Sequence, residues 1–123
     1  DLALVPAALS DFTFDRERGK LPSEAKATAL QLKSVPKVLP SLKERCPKVI
    51  GFKAESGLGE EGLIAEARAS LKRYGLAAVA ANDLKDVRPG STRIVLVKAR
   101  GRKVLEGSKA DVARMLIAEA ARL

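Results

Sequence analysis

The 123-residue sequence contains no histidine, no tryptophan and only one cysteine. Without histidine, Ser-His and Cys-His nucleophilic centres and histidine-ligated metal sites are excluded. The lone Cys46 excludes an internal disulfide and a cysteine zinc cluster, and a reducing cytoplasm is therefore the expected location. Cationic residues flank Cys46, but we expect an inert, part-buried thiol at a helix end, because the usual activating histidine is missing.

Aromatic residues and long apolar runs are also scarce. Aromatics make up 3% of the chain, whereas hydrophobic residues make up 46%, which predicts one globular domain over residues 1–123 with an aliphatic core. No run is long enough to span a bilayer, and nothing resembles a signal peptide. Because the chain starts at Asp1 and Leu2–Leu9 already resembles a core strand, we expect a processed piece or a fragment of a longer protein.

Positive charge is in excess, with 23 Lys and Arg against 15 Asp and Glu, a formal net charge of +8. The excess suits nucleic acid, nucleotide phosphates or an acidic membrane surface, or it is simply a solvated surface of the kind found in thermophiles. A basic nucleic-acid-binding module is thus one hypothesis. Stacking on single strands requires aromatics, of which two or three are expected in the core, and no helix has a clustered basic face. The aromatics are Phe12, Phe14, Phe52 and Tyr74.

The order of the predicted elements indicates an α/β fold. Strand and helix patterns alternate with short links, which predicts parallel crossovers in a Rossmann-like layered fold, mainly parallel with an antiparallel C-terminal hairpin. Leu2–Leu9 is predicted to be buried on both faces, with Pro6 marking a bulge or the strand's end. The other predicted elements are strands Thr28–Lys33, Lys48–Glu55 and Leu76–Ala81, the hairpin Thr92–Lys98 with Lys103–Leu105, and helices from Pro36 to about Arg45, from Glu60 to Tyr74, and after a Ser108 cap.

Polar residues follow three of the predicted parallel strands, at Ser10-Asp11, at Phe52 to Ser56 and at Asn82-Asp83. Ligands bind beyond the carboxyl ends of such strands, so these residues are candidates for one site. Lys20, which follows Gly19, could reach a phosphate as a mobile point charge. Equally, Asp, Asn and Ser are ordinary turn residues, and the charged loop containing Arg16 and Arg18 is typical of a solvated surface. No Walker or GxGxxG motif is present.

Six short motifs occur in one order along the chain: Ala7-Ala8-Leu9-Ser10-Asp11-Phe12, Gly19-Lys20, Pro36-Lys37-Val38-Leu39, Gly51-Phe52-Lys53-Ala54-Glu55-Ser56, Ala81-Asn82-Asp83 and Ser108-Lys109. Together they resemble phosphopantothenoylcysteine synthetase, also called phosphopantothenate–cysteine ligase, an enzyme of coenzyme A biosynthesis. The resemblance covers nearly the whole chain. In many bacteria and archaea that enzyme is fused behind a flavin-dependent decarboxylase, so FMN is implied only if such a domain lies upstream.

The resemblance implies a nucleotide site, with CTP as first and ATP as second choice of co-substrate, together with Mg²⁺. The nucleotide would convert the carboxylate of 4′-phosphopantothenate to an acyl-nucleotide, and the amine of cysteine would then form the amide. No protein nucleophile is required. A homodimer through the C-terminal hairpin edge is also implied. The residues carried over are Val5, Pro6 and Ala7 (backbone contacts), Asp11 (polar anchor), Lys20 (catalytic phosphate lysine on a flap), Pro36, Lys37, Val38 and Leu39 (phosphates at a helix start) and Phe52 (packing against the nucleotide).

The chain also departs from the family pattern. Two lysines that often bind the nucleotide in the family are replaced by Ser70 and Tyr74. Lysines that commonly follow the flap's Gly-Lys are replaced by Pro22 and Ser23, while Lys53 stands where many relatives have Ala and could supply a compensating charge. The family's first strands and much of its acyl-substrate region are expected upstream of Asp1. The third hypothesis is therefore a non-catalytic nucleotide-binding or scaffold domain.

Overall fold

The computed structural model describes residues 1–6, 10–15 and 31–123. Its main feature is a five-stranded sheet in the order β1-β4-β5-β6-β7. β1, β4 and β5 are parallel, whereas β6 and β7 are antiparallel to their neighbours in turn. The predicted mainly parallel sheet with an antiparallel C-terminal hairpin is confirmed. The strands are β1 (Leu2–Val5), β4 (Lys48–Glu55), β5 (Ala78–Asp83), β6 (Thr92–Lys98) and β7 (Arg102–Gly107).

Helices cover both faces of this sheet. α1 (Val38–Arg45) and α2 (Gly59–Tyr74) pack on one face, and α3 (Lys109–Ala120) packs on the other. β5 is the central strand and contributes to the core on both faces of the sheet. Val79 and Ala81 lie on the α1–α2 side, and Ala78 and Ala80 lie on the α3 side. All four are buried. The result is a three-layered α/β/α arrangement.

A small ribbon stands apart from the main sheet. β2 (Phe12–Thr13) pairs antiparallel with β3 (Lys33–Ser34). The amide of Val35 donates to the carbonyl of Asp11 at 3.0 Å and extends this pairing toward α1. The ribbon therefore places the segment that follows β1 beside the start of α1.

Two helix ends show why the sequence signals worked. Gly75 ends α2 in the left-handed region with φ 59°, a conformation that glycine adopts without a steric penalty. Ser108 precedes α3, and its hydroxyl accepts from the amide of Asp111 at 3.1 Å, as the capping pattern predicts. Cys46 ends α1 with 8% of its surface exposed, which confirms the prediction of a sheltered thiol at a helix end.

Several predicted boundaries were wrong. The strand predicted at Leu76–Ala81 begins two residues later and includes Asn82 and Asp83. The helix predicted from Pro36 begins at Val38, and the second hairpin strand extends beyond Lys103–Leu105 at both ends. Shifts of this size are ordinary at the ends of helices and strands, where residue patterns specify the boundary least well.

The N-terminal strand also differs from its prediction. β1 stops at Val5, directly before Pro6, and it is not buried on both faces, because Leu2 and Leu4 are 36% and 37% exposed. In the described part of the predicted strand Thr28–Lys33, Lys33 is in β3, whereas Gln31 and Leu32 are not in a strand. Ala7–Leu9 and Thr28–Leu30 lie outside the described residues.

No helix in the described ranges combines the length and the apolar character needed to cross a bilayer.

One nearly buried carboxylate joins the hairpin to α3. Glu119 is 6% exposed at its side chain and accepts from the Lys103 ammonium at 2.7 Å, the Lys98 ammonium at 3.1 Å and the Arg122 guanidinium at 2.8 Å. The hydrogen bonds from Lys103 and Lys98 lower the pKa of Glu119 to about 2. The ionised carboxylate is thus favoured by the fold.

We expect Glu119→Gln to be less stable than the parent at neutral pH, because three cations then lose their shared carboxylate. The folded-state pKa lies below the ordinary value of 4.5. The ionised carboxylate therefore stabilises the fold above about pH 4.5, and this contribution is lost as the pH falls toward about 2. Urea unfolding followed by circular dichroism, at several pH values between about 7 and 2.5, measures the difference between the two chains.

The difference between parent and variant should shrink over that acid range. Glu44→Gln is the matched control, since Glu44 lies on the exposed side of α1 and makes no ion pair within the described ranges. A stability difference for Glu119→Gln that stays constant down to about pH 2.5 would contradict the assigned role.

Candidate functional site

A cavity of about 470 Å³ lies where the carboxyl end of β1 meets the start of α1. We call it the main compartment. Its walls come from β1, the ribbon, the start of α1, the middle of β4 and the end of α2. The lining residues are Val5, Ser10, Asp11, Phe12, Thr13, Val35, Pro36, Lys37, Val38, Leu39, Gly51, Phe52 and Tyr74.

The main compartment contains most of the site residues predicted from the sequence. Seven line it: Val5, Asp11, Pro36, Lys37, Val38, Leu39 and Phe52. Pro6 is described but is not part of the lining, and Ala7 and Lys20 lie outside the described residues. Residues distant in sequence therefore converge as predicted, while their roles stay predictions.

The start of α1 gives the main compartment hydrogen-bond donors. Lys37 is the N-terminal cap residue, its backbone is extended, and its side chain makes no capping hydrogen bond. The first-turn amides of Val38 and Leu39 therefore receive no side-chain cap, and such amides at a helix N-terminus favour anions. Pro40, the third helical residue, removes an amide that would have no intrahelical partner in any case.

An ion pair crosses the mouth of the main compartment. The ammonium of Lys37 donates to the carboxylate of Asp11, and both side chains are about half exposed or more. Next to Asp11, the Ser10 hydroxyl donates to the carbonyl of Phe12 at 2.6 Å and holds the turn into β2. Phe12 and Phe14 are more than half exposed, whereas Phe52 and Tyr74 pack against the core.

A second compartment of about 280 Å³ adjoins the main one and lies between α1 and α2 over β4. The two share Asp11, Lys37, Leu39, Gly51, Phe52 and Tyr74. The second compartment adds Lys53, Glu66, Ala69, Ser70, Arg73, Leu76 and Val79. Gly51 helps to keep this space open, since a Cβ there would lie 2.8 Å from Leu76 Cδ1.

Lys53, the predicted compensating charge, has partners within the protein. Its ammonium lies 2.7 Å from the Glu55 carboxylate and 4.0 Å from that of Glu66. The hydrogen bond with Glu55 raises the pKa of Lys53 against the opposing effect of burial. Lys53 therefore lines the second compartment as part of an ion-paired group.

The third predicted strand end does not join this site. Asp83 is 9% exposed and lines a separate recess with Asp86 and Arg93. Its carboxylate accepts from the amide of Gly57 at 3.2 Å and from the amide of Lys85 at 2.9 Å. The prediction that Asn82-Asp83 shares one site with Asp11 was wrong, because Asp83 holds the β4–α2 loop against the end of β5.

The described carboxylates limit the kind of metal site that this region can form. Among the described residues no three or more Asp, Glu, Cys or His side chains are grouped to hold an ion. The main compartment offers one carboxylate, that of Asp11. Mg²⁺ commonly uses one or two carboxylates together with substrate phosphates and water, so Asp11 fits a Mg²⁺ ion that arrives with a phosphate ligand.

Sequence reasoning missed several lining residues. Thr13 and Val35 enter the main compartment through the β2–β3 ribbon, whose two-residue strands carry no periodic signal. Arg73 was missed as well. A helical signal for it exists, since Glu66, Ser70 and Arg73 are spaced four and three residues apart on α2.

Comparison with known proteins agrees with this architecture. The family model of the DNA/pantothenate metabolism flavoprotein C-terminal domain matches residues 1–123. The coenzyme A biosynthesis bifunctional protein CoaBC of Methanocaldococcus jannaschii is 36% identical, with 100% of this chain and 31% of that protein covered. The CoaBC protein of Thermococcus kodakarensis is 37% identical, with 79% of this chain and 25% of that protein covered. The chain thus spans about a third or less of these relatives.

Solved structures show the same fold. A DNA/pantothenate metabolism flavoprotein from Streptococcus pneumoniae superposes with a TM-score of 0.72 at 26% identity, covering 85% of this chain and 46% of that one. A Cab2 mutant in complex with phosphopantothenate-cysteine superposes with a TM-score of 0.73 at 23% identity, covering 95% of this chain and 42% of that one. From the family match over its full length, the chain belongs to the DNA/pantothenate metabolism flavoprotein C-terminal domain family.

Proposed function

We propose that this chain is the nucleotide-binding part of a phosphopantothenate–cysteine ligase acting in coenzyme A biosynthesis. The observation that carries the proposal is the main compartment, which brings together seven residues that the family resemblance assigns to nucleotide binding. The names of the curated relatives support the pathway. Because the chain spans only part of those relatives, the acyl-substrate site would be completed by other parts of the protein.

In this proposal the start of α1 binds the phosphates. The uncapped amides of Val38 and Leu39 donate to phosphate oxygens, and Lys37 adds positive charge. By the family resemblance, Lys20 would contact the triphosphate, and Phe52 would pack against the nucleotide. The backbone of Val5 to Ala7 supplies further contacts. The favoured nucleotide is CTP, with ATP second.

The reaction needs orientation and charge neutralisation more than a protein nucleophile. The carboxylate of 4′-phosphopantothenate attacks the α-phosphorus, a P–O bond forms, and pyrophosphate leaves. The amine of cysteine then attacks the carbonyl carbon, the nucleoside monophosphate departs, and the amine gives up a proton. Mg²⁺ held by Asp11 would neutralise phosphate charge when bound. Lys37 and Lys20 would hold the phosphates in line for the displacement.

Assembly as a homodimer is part of the same proposal. β7 pairs only with β6 within the described sheet, so its outer edge is free there, and Val104 on β7 is 42% exposed. A second copy pairing at this edge would cover the free backbone groups.

The chain should bind a nucleoside triphosphate together with Mg²⁺, CTP more tightly than ATP. Titration calorimetry with the four ribonucleoside triphosphates measures both the affinity and the preference. Circular dichroism of the same sample shows that the chain is folded. If a folded chain binds none of the four, the nucleotide site is assigned wrongly.

Lys20→Ala should weaken triphosphate binding far more than nucleoside binding, because it removes a charge-assisted contact to phosphate. The loss should be on the order of 1.5–3 kcal/mol, about ten- to a hundredfold in affinity. The effect should shrink at high salt if the lysine is solvent-exposed. Lys33→Ala is the control, since Lys33 pairs with Asp15 at 2.5 Å and does not line the main compartment. Equal affinities for parent and Lys20→Ala would remove Lys20 from the site.

Asp11→Asn should change the metal dependence of binding. With Mg²⁺ the variant should bind CTP about tenfold more weakly, since a metal ligand is lost. Without Mg²⁺ it should bind at least as well as the parent. The neutral Asn amide does not repel phosphate as the Asp11 carboxylate does, and Lys37 is released from its ion pair. Calorimetry with excess Mg²⁺ and with a chelator separates the two cases.

Asp15→Asn is the matched control for Asp11→Asn. Asp15 forms a comparable exposed ion pair with Lys33 but lies outside the main compartment. The fold should survive both changes, because exposed ion pairs contribute about 1 kcal/mol or less. Parent-like binding by Asp11→Asn under both metal conditions would refute the metal role.

A further inference from the structure

The turn of the β6–β7 hairpin and the C-terminal end of α3 form a basic surface that the proposed function leaves unassigned. It consists of four cations and one carboxylate, which we call the hairpin patch: Lys98, Arg100, Lys103, Arg122 and Glu119. Lys98, Lys103 and Arg122 all donate to the Glu119 carboxylate. Arg100 is exposed in the turn itself and makes no ion pair with any residue that the structure describes.

The hairpin patch has more positive charge than its own carboxylate neutralises. Glu119 is the one Asp or Glu side chain within residues 94–105 and 112–123. Among the described residues, the three cations bound to Glu119 make no ion pair with another carboxylate. Arg102 does not belong to the patch, because it lies on the other face of β7, 3.5 Å from the Glu60 carboxylate. One carboxylate shared by three cations leaves two positive charges, and Arg100 adds a third.

Glu119 fixes the geometry of these cations. Its side chain is 6% exposed, whereas those of Lys103 and Arg122 are 51% and 69% exposed. Both donate to the same oxygen of Glu119, Oε1, so their nitrogens are held side by side at the surface. An ammonium has three donor hydrogens and a guanidinium has five, so each cation keeps donors that Glu119 does not use. Because the cations are already ordered, an anion that binds them costs less side-chain entropy than freely rotating cations would.

The hairpin patch lies away from the proposed nucleotide site. Lys98 pairs with Ala78, the first residue of β5, so the hairpin turn lies at the amino end of this parallel strand. The main compartment lies instead at the carboxyl end of β1, beside the start of α1. None of the five patch residues lines the main or the second compartment. A ligand of the patch would therefore bind independently of a nucleotide.

We propose that the hairpin patch binds the phosphate backbone of nucleic acid without regard to sequence. The residues next to the patch cations offer no apolar anchor, because Ala99, Gly101 and Ala121 are small and Leu123 packs against the core. An interface with a folded protein normally has an apolar core, and insertion into a membrane surface requires an apolar face. Sequence-independent binding of nucleic acid, in contrast, draws essentially all of its affinity from contacts between cations and phosphates. It requires neither stacking aromatics nor a basic helix.

The experiment measures binding of a short, fluorescein-labelled DNA duplex of random sequence by anisotropy at several salt concentrations. The parent should bind with a dissociation constant of about 10⁻⁶–10⁻⁴ M near physiological salt, and more tightly at lower salt. Arg100→Gln should weaken binding on the order of tenfold at about 50 mM salt. It should also reduce the slope of log K against log salt by about 0.9, since one phosphate contact is lost.

Matched controls for these charges lie on α2. Arg68→Gln removes an exposed arginine that, like Arg100, makes no ion pair within the described ranges, and it should leave the salt slope unchanged. The double variant Lys103→Gln with Arg122→Gln should reduce the slope about twice as much as Arg100→Gln. Arg68→Gln with Lys72→Gln removes the same two residue types from α2 and should not reduce it. Circular dichroism shows whether each variant is folded. Arg100→Gln disturbs no described ion pair, so it tests the patch even if the loss of two Glu119 partners unfolds the double variant.

Two competitors separate the hairpin patch from other anion sites. Saturating CTP with Mg²⁺ should leave duplex binding unchanged, whereas displacement by CTP would place the nucleic acid in the main compartment and overturn the inference. Polyglutamate should compete less well than unlabelled duplex, and equal competition would assign the patch to acidic proteins instead. The inference also fails if the folded parent does not bind the duplex at about 50 mM salt, or if Arg68→Gln weakens binding as much as Arg100→Gln. If the chain binds no nucleotide, the proposed function fails, while the duplex titration alone decides on the patch.

Discussion

The position of β4 between two parallel partners is the constraint on which the rest of the site depends. β4 pairs with β1 through its first half, Lys48 to Gly51, and with β5 from Ile50 to Glu55. Alternation along β4 then assigns Val49 to the core on the α1–α2 side and Ile50 to the core on the α3 side. Gly51 interrupts this series. Where other positions fill the α1–α2 layer with a side chain, Gly51 leaves room beside Leu76, and both compartments include it in their lining.

Many of the positive charges in this protein are paired with carboxylates, which the formal net charge of +8 does not reveal. Glu119 is shared by three cations, Lys53 lies between two carboxylates, and Lys37 is paired with Asp11. A count of basic residues therefore overstates the charge available to a ligand. Near the candidate site the relevant quantity is which cations lack a carboxylate among the described residues.

The regular elements could be predicted from sequence where local signals agree. β4 and β6 have the predicted bounds, and the ends of α2 and α3 follow from Gly75 and Ser108. The β2–β3 ribbon could not be predicted, because each strand has two residues and depends on pairing between distant segments. The convergence of Asp11, Lys37 and Phe52 followed from the family resemblance. The role of Asp83 in holding a loop could not be predicted, since a carboxylate at the end of a strand can equally bind a ligand or cap a loop.

The register of β1 has a consequence for the order in which the molecule assembles. Leu2 pairs with Lys48 across a long intervening chain, whereas β4 to β7 and the helices α2 and α3 are joined by shorter connections. Closing a long loop costs entropy that local pairings avoid, so β1 is expected to join late in folding and to open before the rest. Val5 and Asp11 belong to β1 and the segment that follows it, whereas Phe52 on β4 and Tyr74 on α2 belong to the part that is joined by shorter connections. A ligand that bridges the two would draw part of its binding free energy from holding β1 in place, so occupancy and the local opening of β1 are thermodynamically linked.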